Sequence, residues 1–186
     1  MSFSGYTYHA DVMDTNYNQK ELNMKVNVQD AIRNSLHTEK SAMLFYQYGA
    51  KQFKDAGARR TFELLASEER EHAGHFHRIY PGTDIPSLDE FLKIDETDDT
   101  TWLAVAKKLC GAEFTEKKAL EVAMEKEKLL EEGLSNLAAL MDAPEVRSVF
   151  ELKVRESHNH YLMIEAEYAR IMKMVDESDM DTFVRE

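Results

Sequence analysis

The residues of this chain best suited to chemistry lie in the stretch Glu68-Glu69-Arg70-Glu71-His72-Ala73. Helical spacing puts Phe62, Leu65, Ala66, Glu69, His72, Ala73 and Phe76 on one face. Most of these suit a helix core or its border, but Glu69 is a carboxylate in the middle of them. An unpaired buried carboxylate is too costly to persist, so something must neutralise it. His72 lies one turn on and carries no charge unless protonated. A cation held between the two accounts for both residues.

Three more helical stripes are interrupted in the same way. Ile32, Leu36, Met43 and Tyr46 form one, with Glu39 at its missing step. Leu120, Ala123, Met124, Leu130 and Leu134 form another, broken by Glu127. Val149, Leu152, Glu156, His160 and Met163 follow one line of a fourth. An offset of 88 residues carries Glu39-Lys40 onto Glu127-Lys128, Glu68 onto Glu156 and His72 onto His160. Chance acidic residues do not repeat in register, so the halves are read as two copies of one helix pair. Glu69 falls on Ser157, so the second copy lacks a strict Glu-x-x-His. Glu156 and His160 stand four apart, still on one face. Strict spacing would select Asn159, a poor ligand for iron, and His158 points about 160° away from His160 on an ideal helix.

The expected metal ligands are therefore Glu39, Glu69, His72, Glu127, Glu156 and His160. Two divalent ions a few ångströms apart need bridging anionic oxygens, with an imidazole for each. Four glutamates with neutral histidines carry −4, which balances two ferrous ions. Oxygen and imidazole donors without thiolate suit iron or manganese, and zinc can fill such a site. Tyr46, seven residues after Glu39 on the same face, is read as a core tyrosine or as a hydrogen-bond partner of a ligand. His75 and His77 are read as structural or surface residues, His9 and His37 as incidental, and Cys110 near Trp102 as packing. Met43, Met124 and Met163 are read as core filler, and the Glu/Lys alternation of 125–132 as mostly a solvated face.

Four helices must position these residues. The sequence predicts an irregular arm over 1–26, a bundle over 27–176 and a polar tail over 177–186. The helices are expected at about 28–54, 59–79, 114–140 and 144–176. Asp55-Ala56-Gly57-Ala58 reads as a short turn, and Asp142-Ala143-Pro144 as an N-cap with a first-turn proline. Residues 80–113 form a long connection with a short amphipathic helix at Thr101–Leu109. The outline is an all-α, ferritin-like four-helix bundle with one long crossover between helices two and three.

Composition agrees. The 186 residues suffice for one domain, and seven Gly and three Pro suit a helical chain. A net charge of −12 argues against nucleic acid as a partner. One cysteine rules out a disulfide framework and a four-cysteine iron site. Met1–Tyr6 lacks the basic and apolar segments of a secretory signal, and no run is long and apolar enough for a membrane span. A cytoplasmic protein is expected.

With these motifs in place, the chain resembles the rubrerythrin-like branch of the ferritin-like superfamily, without a rubredoxin domain. The likeness covers roughly 28–176 and rests on three motifs. These are Thr38-Glu39-Lys40 with Phe45-Tyr46, Glu68-Glu69-Arg70-Glu71-His72-Ala73, and Ala123-Met124-Glu125-Lys126-Glu127-Lys128. In that family the residues matching Glu39, Glu69, His72 and Glu127 are iron ligands, and a pair in the last helix completes the centre. The resemblance implies a non-haem di-iron oxidoreductase that reduces hydrogen peroxide or reacts with dioxygen. Its electrons would come from a separate donor such as a rubredoxin-like protein, and a homodimer is expected. Peroxidase members also carry a glutamate three residues after the third-helix ligand. Here that position is Leu130, with Glu131 the nearest acid. Ferritin-type iron oxidation and storage, and a metal-free helical interaction module, are the alternatives.

Overall fold

The computed structural model describes residues 27–94 and 115–173. The predicted arm, tail and Thr101–Leu109 helix, with His9, Trp102 and Cys110, lie outside these residues. Among the described residues are five helices and no strand: α1 (Val28–Gln52), α2 (Ala56–Ile79), α3 (Leu88–Lys93), α4 (Glu116–Leu140) and α5 (Pro144–Ile171). The four long helices of the expected bundle are all present.

Local chemistry sets their ends. Asn27 caps α1 by accepting from the Asp30 N–H, and Asp55 caps α2 by accepting from the Ala58 N–H. Ala56–Ala58, read from the sequence as turn, are thus the first turn of α2. Thr115 caps α4 through the Lys118 N–H. At α5 the N-cap is Ala143, not the expected Asp142, because Pro144 occupies the first helical position and makes the preceding residue the cap. α3 sits in the crossover with a Ser87/Glu90 capping box and buries Phe91 and Leu92. The sequence reading did not anticipate it.

The short links α1–α2 and α4–α5 each make an antiparallel hairpin. Glu116 Oε1, at the start of α4, accepts from the Lys54 and Asp55 N–H groups at 2.7 and 2.8 Å. Arg170, near the end of α5, pairs with Asp55 at the same turn. The start of α4 therefore lies beside the start of α2. The crossover must travel back the full length of α2, about 36 Å at the helical rise. At the opposite end the Tyr80 hydroxyl accepts from Arg33 Nε and Nη2 at 2.9 and 2.6 Å and donates to Asp84 at 2.8 Å.

The interior is layered along the bundle axis. Phe45, Tyr46, Phe53, Phe62, Leu120 and Ile164 form an apolar cluster toward the α1–α2 turn. Ile32, Leu36, Phe76, Leu134, Met141 and Phe150 form a second toward the other end. Each fully buried large side chain contributes about 1.5–3 kcal/mol of hydrophobic free energy. Between the clusters lie Glu39, Glu69, His72, Lys126, Glu127, Lys153, Ser157 and His160, all buried. Two apolar layers thus enclose one charged layer. The methionines read as core filler pack accordingly, Met43 buried and Met124 and Met163 partly so.

Candidate metal centre

Each long helix sends polar side chains into the charged layer: Glu39 from α1, Glu69 and His72 from α2, Lys126 and Glu127 from α4, Lys153, Glu156 and His160 from α5. The stripes bury these positions because their neighbours three and four residues away are apolar. The six residues predicted from sequence are brought together.

The two histidines are arranged as near mirror partners. Their rings stack with centroids 5.1 Å apart and planes 13° from parallel. His72 Nδ1 lies 3.0 Å from Glu69 Oε2 and 3.7 Å from Glu39 Oε2. His160 Nδ1 lies 3.6 Å from Glu69 Oε1 and 3.8 Å from Glu127 Oε2. The outer nitrogens meet the repeat-related glutamates: His72 Nε2 is 3.2 Å from Glu156, and His160 Nε2 is 2.8 Å from Glu68. The 88-residue repeat is therefore visible in the geometry, with Glu69 breaking it against the buried Ser157. Glu156 stands at the rim, its side chain 30 % exposed, and also pairs with Lys153. Of the other residues weighed for the second copy, His158 is exposed and faces Glu131 at 3.2 Å, and Asn159 is exposed. Glu131, the acid nearest the missing third-helix glutamate, is thus directed away from the cluster, while Leu130 packs against the second apolar cluster.

Tyr46 is fully buried and its hydroxyl donates to Glu127 Oε1. Burial, then the Glu127 charge, raise the phenol well above its ordinary value, so it remains a donor. His75 stacks loosely on His72, with ring centroids 6.5 Å apart, and does not enter the cluster.

Electrostatics in the layer are severe. Burial, then the Glu69 charge, push the Glu39 carboxyl up to about 8. Glu69 goes the other way. Burial opposes its ionisation, but the Lys126 ammonium and the histidines outweigh it and hold the carboxyl well below the usual range. Burial disfavours charged imidazole too, yet Glu39 and Glu69 raise His72 to about 9. Glu127 and Glu69 likewise raise His160 to about 10. Protons thus occupy positions that a metal ion could take.

Two residues at this layer escaped the sequence reading. Lys126, assigned to a solvated face, is fully buried, 3.8 Å from Glu69 Oε1 and 3.6 Å from Glu127 Oε1. Lys153 is buried against Glu156. Lys126 follows Ala123 by three and precedes Leu130 by four, so the stripe that singled out Glu127 also borders it. Lys40, equally buried, is directed to the crossover, where its ammonium donates to the Ile94 carbonyl at 2.6 Å.

The donor set fits a metal. Glu69 Oε1, Glu127 Oε2 and His160 Nδ1 are buried without a hydrogen-bond partner and face one another. Glu69, His72 and His160 each present a ligand atom within 4.8 Å of the others. Carboxylate and imidazole donors without thiolate are the ligands of iron and manganese.

Fold and cluster together define a ferritin-like helical bundle with a buried carboxylate–imidazole centre. The rubrerythrin family model matches residues 30–168, and the chain belongs to the rubrerythrin family. No curated protein and no solved structure matches it significantly. Membership implies di-iron oxidoreductase chemistry in general terms. Among the described residues no helix is long and apolar enough to cross a membrane.

Proposed function

We propose that the charged layer binds two ferrous ions through Glu39, Glu69, His72, Glu127, Glu156 and His160, and that the protein reduces hydrogen peroxide or reacts with dioxygen. The observation that carries this is the convergence of Glu69 Oε1, Glu127 Oε2 and His160 Nδ1, three buried polar atoms without hydrogen-bond partners. When bound, two ferrous ions would supply the two electrons needed to reduce one peroxide, with two protons, to two waters.

The chain's own groups prepare that chemistry. Glu68 holds the His160 ring by its outer nitrogen, which turns Nδ1 inward. The Tyr46 hydroxyl fixes Glu127 Oε1 and leaves Oε2 facing the cluster. The apolar layers above and below exclude water from the ligands. Loss of the protons on Glu39, His72 and His160 frees those donors for metal. An external electron carrier would return the centre to its reduced form, and pairing of two chains belongs to the same proposal.

A metal-free interaction module is the competing reading, and the buried Lys126 and Lys153 favour it by offsetting part of the carboxylate charge. Rapid mixing of the ferrous-saturated protein with peroxide decides between them. Oxidation should consume one peroxide per two bound ferrous ions and slow at least about 100-fold in Glu39→Ala and Glu127→Ala. Oxidation no faster than that of free ferrous ion would overturn the proposal.

A further inference from the structure

We infer, building on the metal-centre reading above, that the two metal positions are unequal because Lys126 is a resident cation at one of them. One divalent ion binds tightly, and a second binds only by displacing the Lys126 ammonium from Glu69 and Glu127. The geometry is that of a bridging cation. Lys126 Nζ lies within 3.8 Å of a carboxylate oxygen from α2 and within 3.6 Å of one from α4. It also sits 5.4 Å from the centre of the Tyr46 ring, whose hydroxyl shares Glu127 Oε1. The side chain is fully enclosed, so water does not screen it.

Charge counting leads to the same result. With neutral imidazoles, as metal binding requires, the fully buried Glu39, Glu69 and Glu127 carry −3 and Lys126 restores +1, while Lys153 offsets Glu156 and solvent reaches Glu68 at the rim. The remaining −2 matches one divalent ion. A second leaves an uncompensated positive charge in a buried layer unless a lysine withdraws. Lys153 pairs with Glu156 at the partly exposed rim, where solvent relieves it. Lys126 has no such relief and sets the difference. The tight position falls on the side of Glu69 away from Lys126, where His72 Nδ1 lies 3.0 Å from Glu69 Oε2 and 3.7 Å from Glu39 Oε2, while Lys126 faces Glu69 Oε1 and Glu127 beside His160. The −4 to +4 balance expected from the ligands alone therefore omits the two lysines.

The test is stepwise addition of ferrous ion to the metal-free full chain under anaerobic calorimetry. The wild type should show two affinities more than about tenfold apart, given the repulsion between a metal ion and an ammonium at this range. Lys126→Met should narrow that gap by at least about tenfold, and Lys126→Arg, which keeps the charge, should preserve it. Should Lys126→Met fold only when loaded, both loaded proteins are dialysed against the same weak chelator. The wild type should then keep one ion per chain and the variant two. Two equal affinities in the wild type, or a gap unchanged by Lys126→Met, would overturn the inference. Absence of binding in every form would instead overturn the metal-centre reading on which it rests.

Discussion

At the scale of single residues, the metal-free centre is a cluster that stores protons. His72 and His160 hold theirs to about 9 and about 10 in the folded chain, against an ordinary value of 6.5. A raised imidazole contributes stability that is fully present below the unfolded value and is lost as pH rises through the folded one. Glu39 acts in the same direction. Its carboxyl ionises near 4.5 when unfolded but holds a proton to about 8 when folded, so folding is disfavoured progressively across that span. Glu69, held low by Lys126, opposes this only at acid pH, where its contribution is lost as pH falls through its folded value. The metal-free protein should therefore lose stability steadily between about pH 6.5 and 10. Urea midpoints measured across that range should fall, and a flat or rising profile would contradict the assignment of protons to these three groups.

At the scale of helices, the site depends on how closely α1 and α2 approach. Gly49 of α1 makes that approach possible, since a Cβ there would stand 2.6 Å from the Phe62 ring of α2. Phe62 is itself locked, packed edge-on against Tyr46 with centroids 5.0 Å apart and against Phe53 at 4.6 Å. Gly49→Ala gains up to about 1 kcal/mol of helix propensity. Overpacking against the locked ring costs ~1–3 kcal/mol, so the protein should nevertheless be destabilised by a net of up to ~2 kcal/mol, measured by denaturant unfolding. Because Phe62 bears on Tyr46, and Tyr46 on Glu127, metal affinity should fall as well.

The same scale shows how much of the site was legible. The four long helices followed from apolar periodicity, and Glu39, Glu69 and Glu127 were visible because each interrupts a stripe of core residues. The repeat added Glu156 and His160, and the geometry pairs Glu156 with His72 as it pairs Glu68 with His160. Lys126 and Lys153 were not legible. A lysine's long apolar stem suits either a surface or an interior, and its burial depends on which carboxylates other helices place opposite it. Lys40 and Lys128, equivalent in the repeat, make the point. Lys40 is buried by the crossover, whereas Lys128 is exposed over the Tyr161 ring. Helix α3 was missed for a related reason: six residues are too few for periodicity, and its stability comes from its capping box and from burying Phe91 and Leu92.

At the scale of the whole molecule, two hairpins close on a charged layer. Apolar clusters at either end and the Glu116 and Arg170 contacts to the α1–α2 turn hold them together. A metal ion bound by α1, α2, α4 and α5 would tie all four helices at mid-height. Ligand binding to the folded state alone stabilises it by about 2.7 kcal/mol at one hundred times the dissociation constant. For a chain of this size that raises Tm by about 5–11 °C. Chelation should lower Tm by that amount while leaving helical content in place, as read by circular dichroism with temperature. An unchanged Tm would mean that no ion bridges the hairpins.

The central claim is that the charged layer is a metal centre, and anaerobic equilibrium dialysis against saturating ferrous ion tests it most directly. The wild-type chain should bind about two ions, and Glu69→Ala, which removes the carboxylate shared by both histidines, should lose at least one. A folded wild-type chain that binds none would contradict the account.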